Sequence, residues 1–183
     1  ILPDDIPPKD DIVARLKGYL ASSGKLLLSG RSLLGADGTF AVDAGIRSTG
    51  PVTSDPSYLA ASKELDSDMP VSPFVVYGKA EAIVSEGAET LATIVPPYFN
   101  RSCAHFSSHQ HAPDNPDATP LGAGVTVKGG VAYVAYPIFE IYGAMGQPLY
   151  RSVVRGLIDR LVPDRAVTTD LPTSGRVTLT RQQ

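Results

Sequence analysis

An α/β fold is predicted for this chain, and three observations predict it. Residues 10–23 carry a helical apolar period and lead almost directly into Lys25-Leu-Leu-Leu-Ser29, a short apolar run suited to a strand buried on both faces. A second helical stripe, over 148–161, follows Val131–Tyr136, which is apolar enough for a central strand. Between them, Pro73–Tyr77, Ala80–Ser85 and Thr90–Val95 form short runs separated by tight turns at Gly78 and Glu86-Gly87. They predict an antiparallel extension beside a mainly parallel sheet.

In the first helix, Ile12, Val13, Leu16, Tyr19 and Leu20 recur at the helical period, and Lys9, Asp11, Arg15 and Lys17 take the other face. Pro7 and Pro8 precede it, Asp10 and Asp11 suit its positive end, and Gly24 suits its C-terminal cap. Burying the five apolar side chains contributes on the order of 10 kcal/mol before entropy is subtracted. Gly30-Arg31-Ser32 turns the chain at the carboxyl end of the strand, the edge of an open α/β sheet where ligands bind.

Residues 33–69 are weakly patterned. Asp37-Gly38 marks a turn, Ser54-Asp55-Pro56 initiates another, and Tyr58–Leu65 is assigned a short helix. Further on, Gly129-Gly130 between Gly124–Lys128 and Val131–Pro137 is a two-residue hairpin signal. Gly143 and Gly146 mark the connection to the second helix. Leu149, Val153, Leu157, Ile158 and Leu161 form its buried stripe, Arg151, Arg155 and Arg160 its solvated face, and Pro163 its stop. Val167–Asp170 and Val177–Thr180 are expected to close the chain as two strands.

A length of 183 residues suits one domain with a sizeable core, and 43% hydrophobic against 19% charged residues is ordinary for a globular protein. The net charge of −3 speaks against a nucleic-acid partner, which calls for a basic face. No apolar run is long enough to span a membrane, and no leader pattern opens the chain. With one cysteine, an internal disulfide is excluded and the compartment is left unassigned, the cytoplasm being favoured. Ile1-Leu2-Pro3 looks like the end of a strand, and 176–181 alternates like a strand that stops abruptly. The expectation is a single domain over 1–183, cut at both ends from a longer chain.

The chemically special stretch is Cys103-Ala-His-Phe-Ser-Ser-His-Gln-His-Ala-Pro113, which holds the chain's 3 histidines and its 1 cysteine. Pro113, Pro116 and Pro120 deny it a regular period, so it is expected to be a functional loop. His105, Ser108, His109 and His111 are its candidate ligand-binding residues, lining a cleft. The lesser alternative is a metal site on His105, His109 and His111, since His-x-His puts two imidazoles on one side of an extended strand. It would make the chain a small metal-dependent hydrolase; on the favoured assignment no metal and no cofactor is expected. Cys103 lacks the setting of a nucleophile, and a lone cysteine is more often a small buried apolar residue. Ser29-Gly30-Arg31-Ser32 does not fit Gly-x-Ser-x-Gly, nor does Gly30–Gly35 fit a phosphate loop. Glycoside hydrolysis needs two neighbouring carboxylates, and Glu64, Glu81, Glu86, Glu89 and Glu140 are scattered, Glu140 being the best placed. Trp is absent and the tyrosines show no stacking pattern, which disfavours plain carbohydrate binding.

Several segments together carry a resemblance. They are Ile1-Leu-Pro-Asp-Asp-Ile6, Tyr19-Leu-Ala-Ser-Ser-Gly-Lys-Leu-Leu-Leu-Ser-Gly-Arg-Ser32, Pro96-Pro-Tyr-Phe-Asn100, Ser107-Ser-His-Gln-His-Ala-Pro113 and Arg155-Gly-Leu-Ile-Asp-Arg-Leu-Val-Pro163. The closing Thr169-Asp-Leu-Pro172 and Arg176-Val-Thr-Leu-Thr-Arg-Gln182 belong with them. The chain resembles the β-galactosidase trimerisation domain, the middle domain of family 42 glycoside hydrolases and related glycosidases. The resemblance implies a flavodoxin-like, class I glutamine amidotransferase-like three-layer sandwich that follows a catalytic barrel and precedes a small β domain. It also implies a homotrimer, the barrel of the parent chain as partner, and carbohydrate near the His105–Pro113 loop. The amidotransferase relatives carry a nucleophilic cysteine in the turn after a strand. The comparable turn here reads Ser29-Gly-Arg-Ser32, so that chemistry is not expected. The family's catalytic carboxylates lie on the barrel, so no catalytic residue carries over. A non-catalytic oligomerisation or accessory module is the function expected.

Overall fold

The computed structural model describes residues 1–172 and 174–180. The elements run α1 (Asp10–Ala21), β1 (Leu26–Ser29), β2 (Ile46–Pro51), β3 (Ser57–Ala61), β4 (Phe74–Val76), β5 (Glu81–Ser85) and β6 (Glu89–Val95). β7 (Gly122–Lys128), β8 (Val131–Val134), α2 (Ile138–Met145) and α3 (Pro148–Leu161) follow. Six strands form one sheet in the order β1-β8-β7-β6-β3-β4, and β2 pairs with β5 in a second, two-stranded sheet.

The flavodoxin-like three-layer sandwich is overturned. The fold is mostly β, a six-stranded mixed half-barrel with only 19% helix. Within the large sheet β1 and β8 alone pair in parallel, and every other pair is antiparallel. The reason lies in the connections. A parallel neighbour needs a crossover of a dozen or more residues, usually helical, whereas the Gly129-Gly130 turn returns β8 directly alongside β7. Gly129 adopts φ 55 there, as such a turn requires. The long 96–121 connection also returns its strand antiparallel, so that β7 lies on β6. The leucine-rich β1 is buried along its whole length, as expected, but its parallel region is limited to the pairing with β8 and an isolated parallel bridge from Leu2 to Leu28.

Three further expectations are corrected. Residues 57–61 are a strand, not a helix: Ser57, Tyr58 and Leu59 pair on one side with β4, and Tyr58 to Ala61 pair on the other with β6. Residues 138–145, assigned to a connection, form α2, which ends at Gly146 in the left-handed conformation, φ 63. Residues 167–170 and 177–180 are exposed and irregular, with no partner strand among the described residues, and Arg181 lies outside them. The helix α1 leans on the core without entering it. Val13, Leu16 and Leu20 pack against the core as half-buried residues, while Tyr19 is 51% exposed. Ser23, not Gly24, takes the left-handed position at its end, φ 66. Gly24 is needed for space, because a Cβ there would come within 2.5 Å of the Tyr19 ring.

The main core lies among β1, β8, β7, β6 and β3, closed by Tyr150, Val153, Leu157 and Leu161 of α3. Helix α3 packs on β1, β8 and α2. Arg155 and Arg160 lie on its outer side and pair with Asp66 and Glu89.

Candidate functional site

The histidine loop is anchored at its base and open at its tip. Pro97 and Asp114 form an antiparallel bridge. The Tyr98 N–H donates to the Pro113 carbonyl at 3.0 Å, and the Asn115 N–H to that of Pro96 at 2.9 Å. The Tyr58 hydroxyl of β3 donates to the Ala112 carbonyl at 2.7 Å. Burial pushes the Tyr58 phenol pKa up, and the Asp114 charge and Tyr77 add to that push, so this donor stays protonated at neutral pH.

Above this base the candidate residues separate. His111 turns inward against Tyr77, with ring centroids 5.5 Å apart and edge-to-face, and against Tyr58 at 6.2 Å. Its Nδ1 is buried without a hydrogen-bond partner. His105 leans on Phe99 at 6.3 Å, and its N–H closes a turn onto the Ser102 carbonyl. Ser108 and His109 are exposed, as are Phe106 at 70% and Tyr98 at 53%. No group of three or more His, Cys, Asp or Glu side chains able to hold a metal occurs among the described residues. The histidines therefore do not converge as the metal alternative requires. Cys103 is free and exposed, not the buried apolar residue expected, because it lies on the open tip of the loop above the anchored base.

A cleft also lies at the strand-end turn. The parallel strands β1 and β8 both end at one edge, and the chain continues there as Gly30-Arg31 and as Pro137-α2. Between them lies a cleft of about 300 Å³, lined by Asp4, Asp5, Arg31, Lys79, Glu81 and Glu140, with Gly30, Pro51 and Pro137 completing the wall. An adjoining cleft of about 470 Å³ shares Arg31, Pro51 and Glu81 and extends to Asp37, Arg47 and Thr49.

The geometry is tightly built. Glu81 is 4% exposed. One of its carboxylate oxygens accepts from Arg31 Nη1 at 2.6 Å, the other from Ser48 Oγ at 2.7 Å. Arg31 itself is 56% exposed, so the rest of its guanidinium reaches solvent. Asp4 has φ 57, uncommon for a residue other than glycine. That conformation lets one carboxylate accept from Ser29 Oγ at 2.6 Å, and from the Phe139 and Glu140 N–H groups at the start of α2 at 3.4 and 2.7 Å. Asp4 thus caps the positive end of α2. Its carbonyl accepts from the Arg31 N–H at 2.7 Å. The approach is close enough that a Cβ on Gly30, φ 55, would stand 2.5 Å from that oxygen. The fully buried Tyr133 hydroxyl donates to the Gly30 carbonyl at 2.8 Å. Burial pushes its phenol pKa far up, the nearby Glu81 charge adding and Arg31 opposing.

Of the carboxylates scattered in the sequence, only Glu81 and Glu140 meet in this cleft. Glu86 pairs with Arg47 and Glu89 with Arg160, and Glu64 is exposed elsewhere. Asp4, Asp5, Arg31 and Lys79 were not singled out as ligand-binding residues. The Gly30-Arg31-Ser32 turn was the available signal, but it does not reveal that segments 1–6 and 77–81 converge on it.

No protein-family model matches the chain, and no curated protein does. Solved structures do. The chain is similar to α-L-fucosidase isoenzyme 2 from Paenibacillus thiaminolyticus, with 30% identity and a TM-score of 0.81 over 89% of this chain and 24% of that one. It is similar to a β-galactosidase from Rahnella sp. R3, with 17% identity and a TM-score of 0.56 over 91% of this chain and 23% of that one. It is also similar to a β-galactosidase from Bacillus circulans sp. alkalophilus, with 13% identity and a TM-score of 0.50 over 84% and 21%. The last two likenesses bear on the fold alone. These structural neighbours are glycoside hydrolases, and the fold is one found within such enzymes. The chain spans about a quarter of the length of the fucosidase and of the Rahnella β-galactosidase.

Proposed function

We propose that this chain is a non-catalytic accessory module of a glycoside hydrolase, of the kind the β-galactosidase trimerisation domain represents. It holds subunits together, with a trimer as the expected state, and the His105–Pro113 loop helps wall the sugar cleft of a catalytic barrel. The observation that carries this is the likeness to one quarter of an α-L-fucosidase at 30% identity. A segment of that share is sized to accompany a catalytic domain. The loop supports it as well. Its base is bonded to β3 and to residues 96–98, while Phe106, His109 and Ser108 face outward. Exposed aromatic and polar groups on an anchored loop suit contact with a surface beyond the domain.

Glu81 and Glu140 are the one pair that a catalytic reading would use. Glu81 is 4% exposed and both its oxygens accept hydrogen bonds, from Arg31 and Ser48, so it offers little carboxylate surface to a sugar. The test is hydrolysis of aryl β-galactosides and aryl α-L-fucosides by the 183-residue chain. No turnover is expected. Turnover abolished by Glu140→Gln or Glu81→Gln would overturn the reading.

A further inference from the structure

The cleft at the ends of β1 and β8 is built from residues outside the histidine loop, and nothing in the proposed module role uses it. Its free groups are of both signs. Asp4 is spent on the start of α2 and Glu81 on Arg31 and Ser48. What remains is the solvent-facing part of the Arg31 guanidinium and the exposed Lys79 ammonium as donors, with the Asp5 and exposed Glu140 carboxylates as acceptors. Lys79 takes part in none of the ion pairs among the described residues.

This mixture disfavours a simple ion. An inorganic anion would meet Asp5 and Glu140, and a simple cation would meet Arg31 and Lys79, so each is opposed by half the lining. A hydroxyl both donates and accepts, and adjacent hydroxyls can bridge a carboxylate and a cation together. Pro51 and Pro137 offer apolar surface to the C–H face of a ring. The volume of about 300 Å³ sits at the lower end of small-molecule sites, which span about 300–1,000 Å³. The Arg31 head is preorganised by the buried Glu81, which lowers the ordering cost of binding.

We propose that this cleft is a binding site for a small neutral polyhydroxylated molecule of hexose size, with Arg31 and Lys79 as donors and Asp5 and Glu140 as acceptors. No aromatic platform lines it, so affinity rests on hydrogen bonds and is weak, in the millimolar range. The site does not depend on the module reading: sugar binding here is independent of oligomeric state, and either can fail alone.

The experiment is a titration of the 183-residue chain with D-galactose and with L-fucose, followed by backbone amide shifts in NMR spectra. Saturable shifts at Gly30, Arg31, Lys79 and Glu140 are expected. Glu140→Gln and Lys79→Met should each weaken binding about tenfold, the value of a hydrogen bond to a charged group. Both side chains are exposed, so the fold tolerates these changes. Glu64→Gln, an exposed carboxylate outside the cleft, should bind as the unaltered chain does. The proposal is overturned if neither sugar moves these amides, if both cleft substitutions leave binding unchanged, or if inorganic phosphate or glycine binds there more tightly than the sugars.

Discussion

Replacing Glu81 by glutamine removes one charge from a buried pair whose other member, Arg31, stays in reach of water. The strained Asp4 and the Gly30 approach depend on the same corner. Glu81→Gln is expected to cost about 1–3 kcal/mol, the range for a hydrogen bond to a charged buried group, and a urea unfolding midpoint measures it. Asp66 tests electrostatics by pH. Burial pushes its pKa up, but the Asp68 N–H, at 3.0 Å, and the Arg155 guanidinium, at 2.6 Å, outweigh burial and hold it below the ordinary value. A folded-state pKa below the unfolded one stabilises the fold above the usual carboxylate range, and that share is lost as pH falls through the folded value. The stability difference between the unaltered chain and Asp66→Asn should therefore be larger at about pH 7 than at about pH 3. Unfolding midpoints at the two values check the sign. At this scale the sequence was only partly legible. Glu81 could be seen as one carboxylate among several, but its burial comes from β2 and the 30–31 turn folding over it, which no local pattern encodes.

Among the elements, α3 was the most legible, since its apolar period from Pro148 to Leu161 leaves little choice, although Ile158 of the expected buried stripe is 37% exposed and Tyr150 is buried instead. It also hides the sharpest packing constraint. Gly156 faces the Leu65 carbonyl so closely that a Cβ would overlap it. In an exposed helix, glycine to alanine gains up to about 1 kcal/mol. Here steric overlap wins, and Gly156→Ala is expected to lower stability by about 1–3 kcal/mol or more, read as a fall in the thermal midpoint. The misassigned β3 shows the opposite limit. Ser57-Tyr-Leu-Ala-Ala61 satisfies either period over so short a span, and its pairing with both β4 and β6 decides the outcome. Helix α2 was missed because it is only 8 residues long and contains a glycine. Its N-terminal cap comes from Asp4, distant in sequence.

For the whole molecule, the strands were mostly found and their arrangement was not. A short apolar strand buried on both faces occurs in parallel sheets and also in this mixed half-barrel, so β1, β7 and β8 fitted the wrong architecture as well as the right one. The histidine loop was located by composition alone, but the separation of its side chains depends on Tyr58 and Tyr77, far away in sequence. No helix among the described residues is long and apolar enough to cross a membrane. The proposal that this domain holds glycosidase subunits together is tested most directly by its mass in solution, from light scattering with and without a strong chelator. The account predicts a trimer of the 19.3 kDa chain that the chelator does not alter. A monomer at every concentration, or one that loses a bound metal and unfolds on chelation, would contradict it.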